Sequence, residues 1–232
     1  MNDLGTLAFK IGTWLIPLTI AIVFHEVAHG RVAKYFGDMT AASMGRLSLN
    51  PLRHVDPFGT VILPLILAVS GAPVFGWAKP VPVVPERMRN PRWNMVAVAA
   101  AGPATNIILA FLAMLVMFAA LPALSAAKGW GIADFLGANL LNFVAINLFL
   151  AVFNMLPIPP FDGSRVLAGV LPPPLGAKFA RLDRYALPVL LLILVVLPLV
   201  APSANILPKI VLPPVEWLYQ MMFQLASAIL PR

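Results

Sequence analysis

The sequence predicts an all-α polytopic membrane protein: about six transmembrane helices with one short re-entrant β-hairpin or extended loop. Three observations predict it. The 232 residues are 60% hydrophobic and 11% charged, with a mean hydropathy of +0.90, a composition foreign to soluble domains of this size. Apolar runs recur along the chain, and Lys and Arg collect in the short segments between them. One segment, 73–85, breaks the helical pattern with Pro73, Pro80, Pro82 and Pro85.

Charge and cysteine content narrow the function classes. The net charge is +7, but the basic residues punctuate apolar runs and form no single amphipathic surface. They read as topology signals and contacts to anionic lipid, with no nucleic-acid partner. The chain has no cysteine, so it has neither disulfides nor a thiolate metal site.

The first span covers about 4–29, with Pro17 a kink point. It lacks a small-residue cleavage site, so it reads as a retained helix and not a removed signal peptide. Arg31, Lys34, Arg46 and Arg53 follow it, which puts this end in the cytoplasm and the N-terminus outside. Residues 59–70 are apolar but short for a span, implying tilt, a kink or shelter by neighbours. Segment 73–85 alternates valine and proline, which suggests extended edge strand. Such backbone is tolerated at membrane depth only when buried in protein or lining a cavity.

A third span covers about 93–121, interrupted by Gly102-Pro103, and a short external loop follows at 128–134. A fourth, about 135–155, carries Asn139, Asn142, Asn147 and Asn154 and stops at a proline-rich turn that presents Asp162. Spans at about 185–200 and 207–230 complete the chain. Residues 1–170 thus read as a core and 171–232 as a C-terminal helix pair.

The chemistry centres on His25-Glu26-Val27-Ala28-His29, at the end of the first apolar run. On a helix, His25 and His29 stand one turn apart on one face, able to reach one zinc ion, with Glu26 beside the metal's open position. With three His and three Glu in the chain, such a pattern arises by chance on the order of once in a thousand sequences. Ionisable residues inside a membrane are functional by default. A catalytic zinc needs a third protein ligand, either a carboxylate or the remaining imidazole, His54. Asp162, rigidly placed by its prolines, is favoured over His54, which lies in an interfacial loop.

Five stretches carry a resemblance: His-Glu-Val-Ala-His-Gly at 25–30, Gly-Arg-Leu-Ser-Leu-Asn-Pro-Leu-Arg-His-Val-Asp-Pro-Phe-Gly-Thr at 45–60, Gly-Trp-Ala-Lys-Pro-Val-Pro-Val at 76–83, Ala-Gly-Pro-Ala-Thr-Asn at 101–106 and Phe-Asn-Met-Leu-Pro-Ile-Pro-Pro-Phe-Asp-Gly at 153–163. Together they resemble the site-2 protease family of intramembrane zinc metalloproteases, in its minimal prokaryotic form without PDZ or CBS domain. The resemblance implies one zinc ion per chain held by His25, His29 and Asp162, with Glu26 as catalytic base. It also implies a substrate or transition-state contact for Asn106 and a place near the ligand carboxylate for Asn154. Where the family's hairpin often runs Pro-Val-Asn-Pro, this chain has Pro82-Val83-Val84-Pro85, which removes a polar side chain there.

The expected activity is hydrolysis of a peptide bond within the transmembrane helix of a membrane-protein substrate, toward the cytoplasmic face of a prokaryotic inner membrane. An unwound substrate needs replacement hydrogen bonds, which the edge strand around Val81 and Val83 could supply. Asn106 could donate to the oxyanion. A metal transporter or channel is the competing reading, but it gives no reason for Glu26 to stand between two histidines. A proteolytically inactive relative is another, and the full catalytic set argues against it.

Overall fold

A computed structural model describes residues 3–70, 76–127, 131–200 and 206–230. Among them the chain is helical, with no strand. Among the described residues, three helices are long and apolar enough to cross a membrane: α1 (Asp3–Tyr35), α2 (Pro91–Ala126) and α3 (Gly131–Asn154). They contact one another pairwise and form the frame of the molecule. A short helix, α4 (Asp162–Val170), follows the proline-rich turn and packs on α2. The last long helix, α5 (Ile206–Ile229), lies against α2 and α3. The expected span at 59–70 is a π-helical turn, Pro57–Ile62, running into helix Leu63–Ser70.

The burial pattern of the frame is that of a protein whose solvent is lipid. Leu7, Ile11 and Trp14 on α1, Ile108, Leu112 and Val116 on α2, and Leu136 and Leu141 on α3 are all exposed. In water such a surface would drive association. The buried seams instead carry small and polar residues: Ala21 and Ala33 on α1, Ala110 and Ala113 on α2, Asn147 and Ala151 on α3. Without a hydrophobic drive between helices, close approach and interhelical hydrogen bonds bring them together. The Asn142 amide donates to the Thr13 carbonyl at 2.8 Å and ties α3 to α1. With Ala110 and Ala113, Met114 and Phe118 of α2, Val144 and Leu148 of α3 and Met222 and Ala226 of α5 form an apolar cluster.

The proline-rich segment is not a helix, as its composition predicts. Residues 76–84 run without regular structure and end in a 3₁₀ turn, Pro85–Arg87. The expected hairpin also included 73–75, which lie outside the described residues, as does 128–130 of the expected external loop.

Two features fix α4, and through it Asp162. Arg92, near the start of α2, donates to the carbonyls of Gly169 and Leu171, each at 2.7 Å, and of Val170 at 3.3 Å. A cation on the last carbonyls of a helix is favourable for both hydrogen bonding and the helix dipole. At the other end, Gly163 packs directly on the chain leaving α3. A Cβ there would stand 2.2 Å from the Met155 carbonyl oxygen and 2.6 Å from that of Leu156. Both are backbone atoms and cannot rotate away. Gly163→Ala should therefore destabilise the fold by about 1–3 kcal/mol. Gly5→Ala, whose Cβ would meet open space, should not. Thermal unfolding of the two variants in detergent checks this.

Candidate metal centre

α1 presents His25 and His29 on one face, pointing at α2. Asp162, first residue of α4, reaches the same point from the other side. His25 Nε2 lies 3.0 Å from His29 Nε2, and the Asp162 Oδ2 atom lies 3.1 Å from the first and 3.3 Å from the second. All three residues are buried. They form the one group of three or more potential ligands with convergent atoms among the described residues. Four ligands set tetrahedrally around zinc at 2.0–2.1 Å would be about 3.3 Å apart.

The protonation pattern tests whether a cation belongs here. His29 Nδ1 lies 2.7 Å from the Val98 carbonyl, which can only accept, so Nδ1 carries the proton. His25 Nδ1 lies 2.6 Å from Asn106 Oδ1. The Asn106 amide nitrogen donates to Asn147 Oδ1 at 2.8 Å and to the Ala21 carbonyl at 3.3 Å. The Asn147 amide in turn donates to the Phe143 carbonyl at 2.8 Å. Each step fixes the next: a helix carbonyl orients Asn147, Asn147 orients Asn106, and the Asn106 oxygen takes the His25 Nδ1 proton. Both imidazoles then turn an Nε2 lone pair toward the Asp162 carboxylate. Three acceptors meet in a buried site, an arrangement that a divalent cation satisfies. Two imidazoles and one carboxylate suit zinc, and the outer hydrogen bonds on both rings are those metal-ligating histidines make.

Gly102 makes the close approach possible. A Cβ at this position of α2 would stand 2.5 Å from His29 Nε2 and 2.6 Å from His25 Nε2. The Gly102-Pro103 pair, legible in the sequence as a break in an apolar run, lies within a continuous helix. Its glycine gives room to the two rings.

Glu26 is half-buried on α1, and its Oε2 accepts from the Val81 backbone N–H at 2.8 Å. The extended segment thus lies beside the histidine pair. The Val83 side chain packs against Ala33, Met88 and Val98. His54 is buried elsewhere, with Nε2 on the Ser48 carbonyl at 2.8 Å, and does not belong to the convergent group. Asn154 turns back onto its own helix, donating to the Leu150 carbonyl at 3.0 Å. Asn106 is fully buried with both ends of its amide engaged. Asn147 and Gly102 gain significance only in three dimensions; in the sequence Asn147 is one of four asparagines on its span. Asn147→Leu should leave the fold intact but lower zinc affinity about 10–100-fold, measured by competition with a chelator.

A model of peptidase family M50 matches residues 13–197. Three similar proteins each carry the name "putative zinc metalloprotease". YwhC of Bacillus subtilis (strain 168) is 39% identical over 188 residues, 80% of this chain and 80% of that protein. Rip2 of Mycolicibacterium smegmatis (strain ATCC 700084 / mc(2)155) is 30% identical over 88% of this chain and 71% of its own length. MJ0611 of Methanocaldococcus jannaschii (strain ATCC 43067 / DSM 2661 / JAL-1 / JCM 10045 / NBRC 100440) is 36% identical over 66% of this chain and 68% of its own. No solved structure matches. With the family match covering most of the chain and a histidine–carboxylate group at its centre, the protein belongs to peptidase family M50, the site-2 protease family of zinc metalloproteases.

Proposed function

We propose that this chain is an intramembrane endopeptidase that cleaves peptide bonds within transmembrane helices of membrane-protein substrates. The observation that carries the reading is the position of Glu26: one residue from His25, beside the convergent group and in contact with an extended backbone segment. A transporter needs metal ligands but has no use for a carboxylate held against the backbone of a non-helical segment.

In this reading His25, His29 and Asp162 hold the metal. Bound zinc supplies Lewis acidity, which polarises the scissile carbonyl and brings the pKa of water to about 7. A Glu26 carboxylate oxygen removes the proton from the attacking water and returns it to the leaving amide nitrogen. Water adds across the C–N bond, giving a new carboxyl and a new amine. Asn106 acts on His25 and not on the oxyanion, because its amide N–H groups are already donated to Asn147 and Ala21. Asn154 supports the end of α3.

The substrate helix must unwind before its peptide bonds become accessible, and its backbone groups then need new partners inside the bilayer. The edge around Val81 and Val83 offers them by strand addition. The catalytic core is residues 1–170, with the C-terminal helices of 171–232 flanking it. About six spans and a re-entrant 73–85 segment accommodate this core in a prokaryotic inner membrane, with the site opening toward the cytoplasm.

Glu26→Gln keeps the side chain's size and its hydrogen bond to Val81 but not its basicity. The variant should retain one zinc per chain and lose cleavage of a tagged transmembrane substrate by a factor of about 10²–10⁴. Zinc content and cleavage, measured side by side in detergent or lipid, check this. Cleavage that survives the substitution would contradict Glu26 as the base.

A further inference from the structure

Two buried charges of opposite sign, neither in the metal group, grip the two ends of the extended segment. Asp38 is fully buried just beyond α1, placed there by the turn that ends the helix, where its own N–H donates to the Ala33 carbonyl at 3.0 Å. Its Oδ2 accepts from the Val84 N–H at 2.7 Å. Its Oδ1 accepts from the Thr40 N–H at 3.0 Å and from the Thr40 hydroxyl. Arg46, also buried, donates through Nη2 to the carbonyls of Lys79 at 2.6 Å and Pro80 at 3.3 Å, and through Nη1 to the carbonyl of Arg53. Between these grips Val81 donates to Glu26.

The groups left over are informative. Among the described residues no hydrogen bond ends on the Val83 N–H or on the Val81 and Val83 carbonyls. These groups belong to Val81 itself and to the residue two further on, next to the Val81 N–H that meets Glu26. Pro80 and Pro82 have no N–H to donate. The unpaired backbone groups therefore lie within two residues of the contact with Glu26.

We propose that Asp38 and Arg46 are positioning residues for substrate: they clamp residues 79–84 so that the Val81–Val83 edge is held ready beside Glu26. The assignment rests on the protease reading above. Burial opposes ionisation of Asp38, but the Thr40 hydroxyl, the Val84 and Thr40 amides and the charge of Arg87 together hold its carboxyl below the usual carboxylate range. A carboxyl lowered in the folded state stabilises at neutral pH and loses that contribution only as pH falls through its own depressed value, so the clamp is charged under ordinary conditions.

The test uses the absence of cysteine from the chain. A nitroxide on Lys79→Cys, an exposed position within the clamp, reports the mobility of the segment without substrate. Asp38→Asn and Arg46→Lys are compared with the parent for label mobility, zinc content, thermal unfolding and cleavage kinetics on a tagged transmembrane substrate. The clamp predicts a label that is immobile in the parent and freed in both variants. It also predicts zinc retained and KM raised on the order of tenfold or more, with kcat little changed, since the lost charge-assisted hydrogen bonds serve binding. A label equally immobile in both variants overturns the assignment, as does a fall in kcat with unchanged KM. If the parent cuts no transmembrane substrate, the protease reading fails, while a label freed by the substitutions still supports the clamp.

Discussion

Three hydrogen-bond acceptors facing one another in a buried site are the constraint on which this structure depends. Two imidazole Nε2 atoms and one carboxylate oxygen stand 3.0–3.3 Å apart, with both ring protons committed on the far side. Without a cation such a cluster is strongly unfavourable. With one, it becomes a tight cross-link between α1 and α4, through His25 and Asp162, 137 residues apart in sequence. Much of the surrounding architecture can be understood as keeping those acceptors in place.

That support comes from packing as much as from polarity. Gly102 clears the space the two rings occupy, and Gly163 lets the start of α4 fold back on the end of α3. Arg92 holds the far end of α4 from the first turn of α2, the same helix that carries Gly102 and Asn106. α2 therefore touches every ligand-bearing element. Polar side chains in the helix seams reinforce this: a chain of two asparagines passes the orientation of one helix carbonyl on α3 to a ring on α1. Around the group, the non-helical segment brings its backbone to Glu26, through the Val81 N–H.

Much of this was legible in the sequence because it follows from local periodicity. Histidines four residues apart must share a helix face, and a glutamate between them must lie beside whatever they bind. Pro157, Pro159 and Pro160 end a helix and fix the short segment that presents Asp162, which singles it out among the carboxylates. The proline-rich 73–85 segment could not be a helix, and its described part is not one. What stayed hidden depends on contacts between distant residues. Asp38 and Arg46 look in the sequence like ordinary charges of a loop, and Arg46 reads as a topology signal; only the fold buries them against the extended segment. Asn147 differs from its neighbouring asparagines only in facing Asn106, 41 residues away. Asn106 was noticeable, but its partner was not, so its attachment to His25 could not be anticipated.

The central claim is that two imidazoles and one carboxylate form the metal site, and zinc K-edge X-ray absorption on the purified, zinc-loaded protein tests it most directly, because scattering from imidazole rings counts them. The account predicts two imidazoles and oxygen ligation at about 2.0–2.2 Å, with a spectrum unchanged in His54→Ala. A third imidazole that disappears in His54→Ala, or a spectrum unaltered in His25→Ala, would contradict it.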